Sequence, residues 1–252
     1  MVKSADRHGA TGRGGAGGYF AWSRDPAVGL FAVLPLWLAY EALRFWLTPD
    51  ERNLSEWLLL DMLARLGPVV GTLLRLLLAA ATFLAMRSVL RREIPWARVA
   101  LVLVLEGMVY GLLLGPLAGA LADPAARLLG PPGGGRERLA QNLVSSLGAG
   151  LFEELVFRLG LMSLLVWLWL RASTTHRVSR VAGGIAAVVV SAALFSLHHH
   201  LREPFDRGVF LYRTMAGVIL GFLFWFRGFG VCVYTHAMYD VYYFVELYRE
   251  QP

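Results

Sequence analysis

Long apolar runs broken by short polar, arginine-bearing segments set the pattern of this chain. They fall at residues 27–47, 68–90, 97–122, 138–170, 182–200, 208–226 and 229–248. Runs of about 18 or more mostly apolar residues predict membrane-spanning helices. The expected fold is therefore all-α, a polytopic transmembrane bundle of about seven spans, with its site on the late helices. The run at 138–170 exceeds what one ordinary span needs at ~1.5 Å per residue. It predicts either a long tilted helix or a helix broken near Leu159 and Gly160. The mixed-charge stretch 50–65, with its apolar patch at 57–60, predicts a short helix lying at the interface.

Two segments lack apolar periodicity. Residues 1–24 hold six glycines with Lys3, Arg7, Arg13 and Arg24, and predict a flexible basic tail without a cleavable signal peptide. Residues 123–135, rich in Gly and Pro, predict a connector. The rest, 25–250, reads as one membrane domain with a motif-bearing core at 138–248.

Composition agrees with a lipid environment. Of 252 residues, 57% are hydrophobic and 17% charged, and the mean hydropathy is +0.54. A soluble chain of this length needs more charge to cover its surface. The net charge of +6 is carried by arginine, Lys3 being the only lysine. These arginines are scattered over short loops, which fits the positive-inside bias and argues against a nucleic-acid partner. With an inside amino terminus, the loops at 87–98 and 171–180 and Arg227 share the cytoplasmic side. The arginine usage suggests a GC-rich coding sequence and hence a bacterial inner membrane. A single cysteine, Cys232, excludes an intrachain disulfide and a thiolate cluster.

Three late runs nevertheless carry polar groups at helical spacing. Glu153, Glu154 and Arg158 lie inside an apolar stretch; Phe195 precedes His198, His199 and His200; His236 and Asp240 stand four apart. An ionisable group near the bilayer centre costs about 2.5–3.5 kcal/mol, so such groups are paired and functional by default. On a helix Glu154 and Arg158 are neighbours, whereas Glu153 points about 100° away. One carboxylate thus has a partner and the other is free for chemistry. Bundling the three faces would gather carboxyls and imidazoles in an apolar pocket, where a carboxylate and an imidazole can activate water and a second pair can hold an oxyanion. Neither a GxSxG nucleophile turn nor an HExxH helix is present.

In order, these residues read EExxxR, FxxxH and HxxxD, and resemble the EExxxR, FxxxH and HxxxN motifs of the CPBP (Abi) intramembrane proteases, which include the CAAX prenyl endopeptidases. The resemblance implies an intramembrane endopeptidase acting on a membrane-embedded or lipid-anchored peptide, without a cofactor. It implies that Glu153 and His199 activate water and that His236 and the residue at 240 stabilise the oxyanion. Glu154, Arg158 and Phe195 take the supporting places. Asp240 departs from the family's usual Asn, and an ionised Asp there would repel an oxyanion.

The residues alone leave other readings open. His198 competes with His199 for the second motif. Glu153, Glu154, His199 and His236 could instead ligate zinc, which accepts nitrogen and oxygen donors. Buried Glu and His chains also serve proton-coupled transporters, and a non-catalytic immunity protein could keep the fold. Glu106, deep in its run with no motif around it, could sit near the site or pair with Arg158, and its role stays open at this point.

Overall fold

The computed structural model describes residues 18–47, 53–122, 136–172 and 177–249. Among them the fold is helical throughout: α1 Tyr19–Ser23, α2 Pro26–Leu47, α3 Leu54–Arg65, α4 Pro68–Arg91, α5 Trp96–Ala122 and α6 Arg136–Glu154. A π-helical stretch, Leu155–Met162, joins α6 to α7 Ser163–Ala172, and α8 Arg177–His199, α9 Arg207–Arg227 and α10 Phe229–Arg249 complete the bundle. The expected connector at 123–135 lies outside the described residues.

Among the described residues, six helices are long and apolar enough to cross a membrane, α6, the π stretch and α7 forming one of them over Leu139–Ala172. The run is neither broken nor doubled back at Gly160. The seventh expected span is α10, which is 21 residues long but more polar. Its position accounts for that composition. Residues 229–237 are all buried, enclosed by α2, α5, α6 and α9. Protein rather than lipid surrounds this half of the helix, so Thr235 and His236 are tolerated there.

Local chemistry sets the helix ends. The side chains of Asn53 and Asp206 cap α3 and α9 by accepting the Ser55 and Val209 N–H groups at 2.9 and 2.8 Å. Asp25 caps α2, accepting from Ala27 and Val28 at 2.9 and 3.2 Å. The same carboxylate receives Arg92 at 2.6 Å, pinning the turn after α4 to the start of α2. Gly228, with φ of 87°, makes the sharp reversal between α9 and α10.

Two expectations are corrected. Residues 19–23 are not part of a flexible tail, since α1 is docked: Ser23 is fully buried, the Tyr19 hydroxyl donates to Glu106, and Arg227 lies 4.4 Å over the Phe20 ring. The partly buried rings of Tyr19 and Trp22 provide the surface to bury, outweighing the glycines before them; residues 1–17 lie outside the described residues. Glu106 does not pair with Arg158. It holds Arg227 in two hydrogen bonds of 2.6 and 2.7 Å, because α5 and α9 bring those positions together and Arg158 is already occupied.

Small residues let the central helices approach. A Cβ on Gly107 would sit 2.5 Å from the Tyr234 Cβ, and one on Gly150 would sit 2.6 Å from the Ala237 Cβ and 2.7 Å from its backbone nitrogen. Membrane helices associate through such close packing. Gly150→Ala must push α6 from α10, and is expected to cost about 1–3 kcal/mol through overpacking. Gly119→Ala, whose Cβ would meet nothing nearer than 3.8 Å, should leave thermal unfolding in detergent near wild type. Equal stability for the two variants would contradict this packing.

The Asp25 clamp is pH-dependent. The hydrogen bond from Arg92, aided by the Val28 and Ala27 amides and opposed by partial burial, holds the Asp25 carboxyl below its usual range. A folded-state value below the unfolded one contributes stability that is present above the unfolded value and lost as pH falls through the folded one. Asp25→Ala should therefore lower the unfolding temperature at pH 7, with the cap itself worth about 1 kcal/mol. The difference from wild type should shrink as pH drops below about 4. A pH-independent difference would count against the ion pair.

Candidate active site

The last turn of α6 presents Glu153 and Glu154, and the π stretch places Arg158 beyond them. The Ser163 N–H reaches back five residues to the Arg158 carbonyl, and the Ser163 hydroxyl donates to the same oxygen at 3.2 Å. Such wide turns recur at functional sites because they redirect side chains without ending the helix. Ser191 of α8 donates to the Phe157 carbonyl at 2.7 Å, fastening the second-motif helix to this stretch.

Glu154 is the hub of the buried cluster. Its Oε1 lies 2.9 Å from Arg158 Nη1 and 2.6 Å from His236 Nδ1, while Oε2 accepts from Cys232 Sγ at 2.9 Å. The Arg158 contact is an ion pair without hydrogen-bond alignment. Arg158 donates through Nη2 to the Gly217 carbonyl at 3.2 Å, and its guanidinium lies 4.4 Å from the Phe195 ring centre. Glu154 and Arg158 are 0% and 1% exposed. At that depth, each charge must be met by an opposite charge or a hydrogen bond.

Glu153 faces the other way. Its Oε1 accepts from Asn53 Nδ2 at 3.2 Å. Its Oε2 is buried without a hydrogen-bond partner, 3.7 Å from His199 Nε2 and 3.8 Å from His236 Nε2. His199 Nδ1 lies 3.0 Å from the Phe195 carbonyl. A carbonyl only accepts, so Nδ1 carries the proton and the neutral ring keeps its lone pair on Nε2, toward Glu153. Asp240 Oδ2 stands 3.7 Å from His236 Nε2. The Phe195 ring packs edge-on against both His199 and His236, at 5.0 and 5.7 Å between centres.

All seven motif residues, Glu153, Glu154, Arg158, Phe195, His199, His236 and Asp240, thus converge. The neighbouring histidines turn elsewhere. His198 contacts Ser55 Oγ at 3.4 Å and packs on Phe157, and His200 reaches the Pro204 carbonyl at 3.1 Å. Asn53 escaped the sequence reading; the Asn-x-x-Glu signature at 53–56 marks a helix start but gives no hint that α3 reaches Glu153. Among the described residues, no group of three or more His, Cys, Asp or Glu is placed to hold a metal ion. A cavity of about 450 Å³ lies beside the π stretch, lined by Leu159, Met162, Trp225 and Phe229, with no motif residue in its wall.

Residues 136–242 match the model of a family described as type II CAAX prenyl endopeptidase Rce1-like. The matched segment opens at α6, closes within α10 and contains every motif residue. Over this segment, a little under half of the chain, the sequence is similar to that family. The likeness supports a membrane-embedded endopeptidase, in agreement with the resemblance carried by the three motifs. No curated protein and no solved structure matches the chain.

Removing one member of a buried ion pair strands the other, at a cost of about 3–5 kcal/mol. Arg158→Met should therefore unfold far below wild type, and the double variant Arg158→Met with Glu154→Gln should recover part of the loss. Thermal unfolding of wild type, Arg158→Met, Glu154→Gln and the double variant gives the coupling. Additive losses would show that the two side chains do not depend on each other.

Proposed function

We propose that the chain hydrolyses a peptide bond in a lipid-anchored or membrane-embedded protein, by attack of a water activated between Glu153 and His199. The observation that carries this reading is the unpartnered, buried Oε2 of Glu153 facing two imidazole nitrogens. A separation of 3.7 Å is too long for a direct hydrogen bond and short enough for one water to contact both groups. The water's proton passes to the Glu153–His199 pair as its oxygen attacks the carbonyl carbon, and that proton then goes to the leaving amine as the C–N bond breaks.

His236 takes the oxyanion. With Arg158 against the same oxygen, Glu154 acts as acceptor toward His236 Nδ1, so a ring that also donates from Nε2 is an imidazolium. Asp240, as a neutral acid, adds an O–H donor in the place where the family pattern has Asn. This assignment makes the cluster electroneutral, Arg158 and His236 balancing Glu153 and Glu154. Net charge would be costly at this depth.

The family supports a substrate whose carboxyl-terminal region is held at the membrane by a lipid. Zinc hydrolysis is the competing chemistry, and one assay separates the two. On a quenched fluorescent farnesylated peptide in proteoliposomes, Glu153→Gln should lower turnover about 100-fold or more, His199→Ala comparably, and His198→Ala much less. Wild-type turnover should survive a strong chelator. Loss of activity on chelation with recovery on zinc would replace this mechanism, and an active Glu153→Gln would remove its base.

A further inference from the structure

Asn53 lies 100 residues upstream of the carboxylate it touches, on a helix that the sequence places at the membrane surface. Its amide can be oriented only one way. As the cap of α3, its Oδ1 accepts the Ser55 N–H at 2.9 Å, which leaves its NH₂ for Glu153 Oε1 at 3.2 Å. The reversed amide would set donor against donor at the cap.

The mount is firm. Ser55 and Glu56, the next residues of the same turn, are 2% and 3% exposed. Ser55 lies 3.4 Å from His198 Nε2, and Glu56 accepts from the Tyr40 hydroxyl at 2.5 Å. A carboxylate's terminal torsion is broad and two-fold. Unless one oxygen is tethered, either can turn toward the imidazoles and neither is held. The Asn53 contact occupies Oε1 and leaves Oε2 as the oxygen between His199 and His236.

We infer that Asn53 is a positioning residue for hydrolysis, tethering Glu153 Oε1 so that Oε2 is presented to the attacking water. This rests on the water-activation reading proposed above. Asn53→Ser retains a capping oxygen but loses the amide donor, whereas Asn53→Ala loses both. In the farnesylated-peptide assay, Asn53→Ser should lower kcat roughly tenfold or more with KM unchanged, since it removes a hydrogen bond to a charged group. Its unfolding temperature should match wild type, and Asn53→Ala should combine the same kcat loss with lower stability.

Wild-type kcat in Asn53→Ser overturns the inference. So does a kcat loss in both variants that merely follows lowered unfolding temperatures. Glu153→Gln in the same assay distinguishes the two levels. If it is inactive while Asn53→Ser is active, the positioning role alone fails. If Glu153→Gln is active, the base reading fails and carries the Asn53 role with it.

Discussion

One carboxylate, Glu154, ties together the parts of the molecule that carry the first and third motifs. It meets Arg158 from its own helical run, and His236 and Cys232 from α10. At zero exposure, each partner is needed to offset the cost of placing a charge there. The pairing therefore does two things at once. It fixes α10 against α6 at a defined register, and it commits His236 Nδ1, leaving Nε2 as the ring atom that faces Glu153 and Asp240.

The rest of the packing serves this register. Gly150 allows α6 and α10 to approach at backbone distance, one turn before the glutamates. Ser191 clips α8 to the π stretch, and Phe195 fills the space between Arg158, His199 and His236. The two adjacent glutamates consequently have separate tasks. Glu154 is surrounded and fixed, while Glu153 keeps an oxygen free of hydrogen bonds. A separate ion pair, Glu106 with Arg227, sits with α1 and joins α5 to α9 without touching the site.

Much of this was legible from spacing. Helical periodicity alone pairs Glu154 with Arg158 and separates Glu153, and four-residue spacing from Phe195 selects His199 over His198. Lipid-compatible runs mark the spans because the membrane requires them. What stayed hidden depends on tertiary contact. Nothing local ties Asn53 to a residue 100 positions away, or Glu106 to Arg227. The π turn at Gly160 reads in sequence as a possible break, since one extra residue per turn leaves no compositional mark. The protein lining of α10, which accommodates its polar residues, likewise leaves no mark in the spacing. The docked α1 was hidden by the glycines that precede its aromatic side chains.

The central claim, that this pocket hydrolyses peptide bonds in membrane-held proteins, is tested most directly by mass spectrometry of small membrane proteins. Cells carrying the chain would be compared with cells lacking it, with both termini of each protein mapped. The account predicts at least one lipid-anchored or membrane-embedded protein whose carboxyl terminus is shortened only when the chain is present. Identical termini across the two sets, with the chain folded and in the membrane, would contradict it.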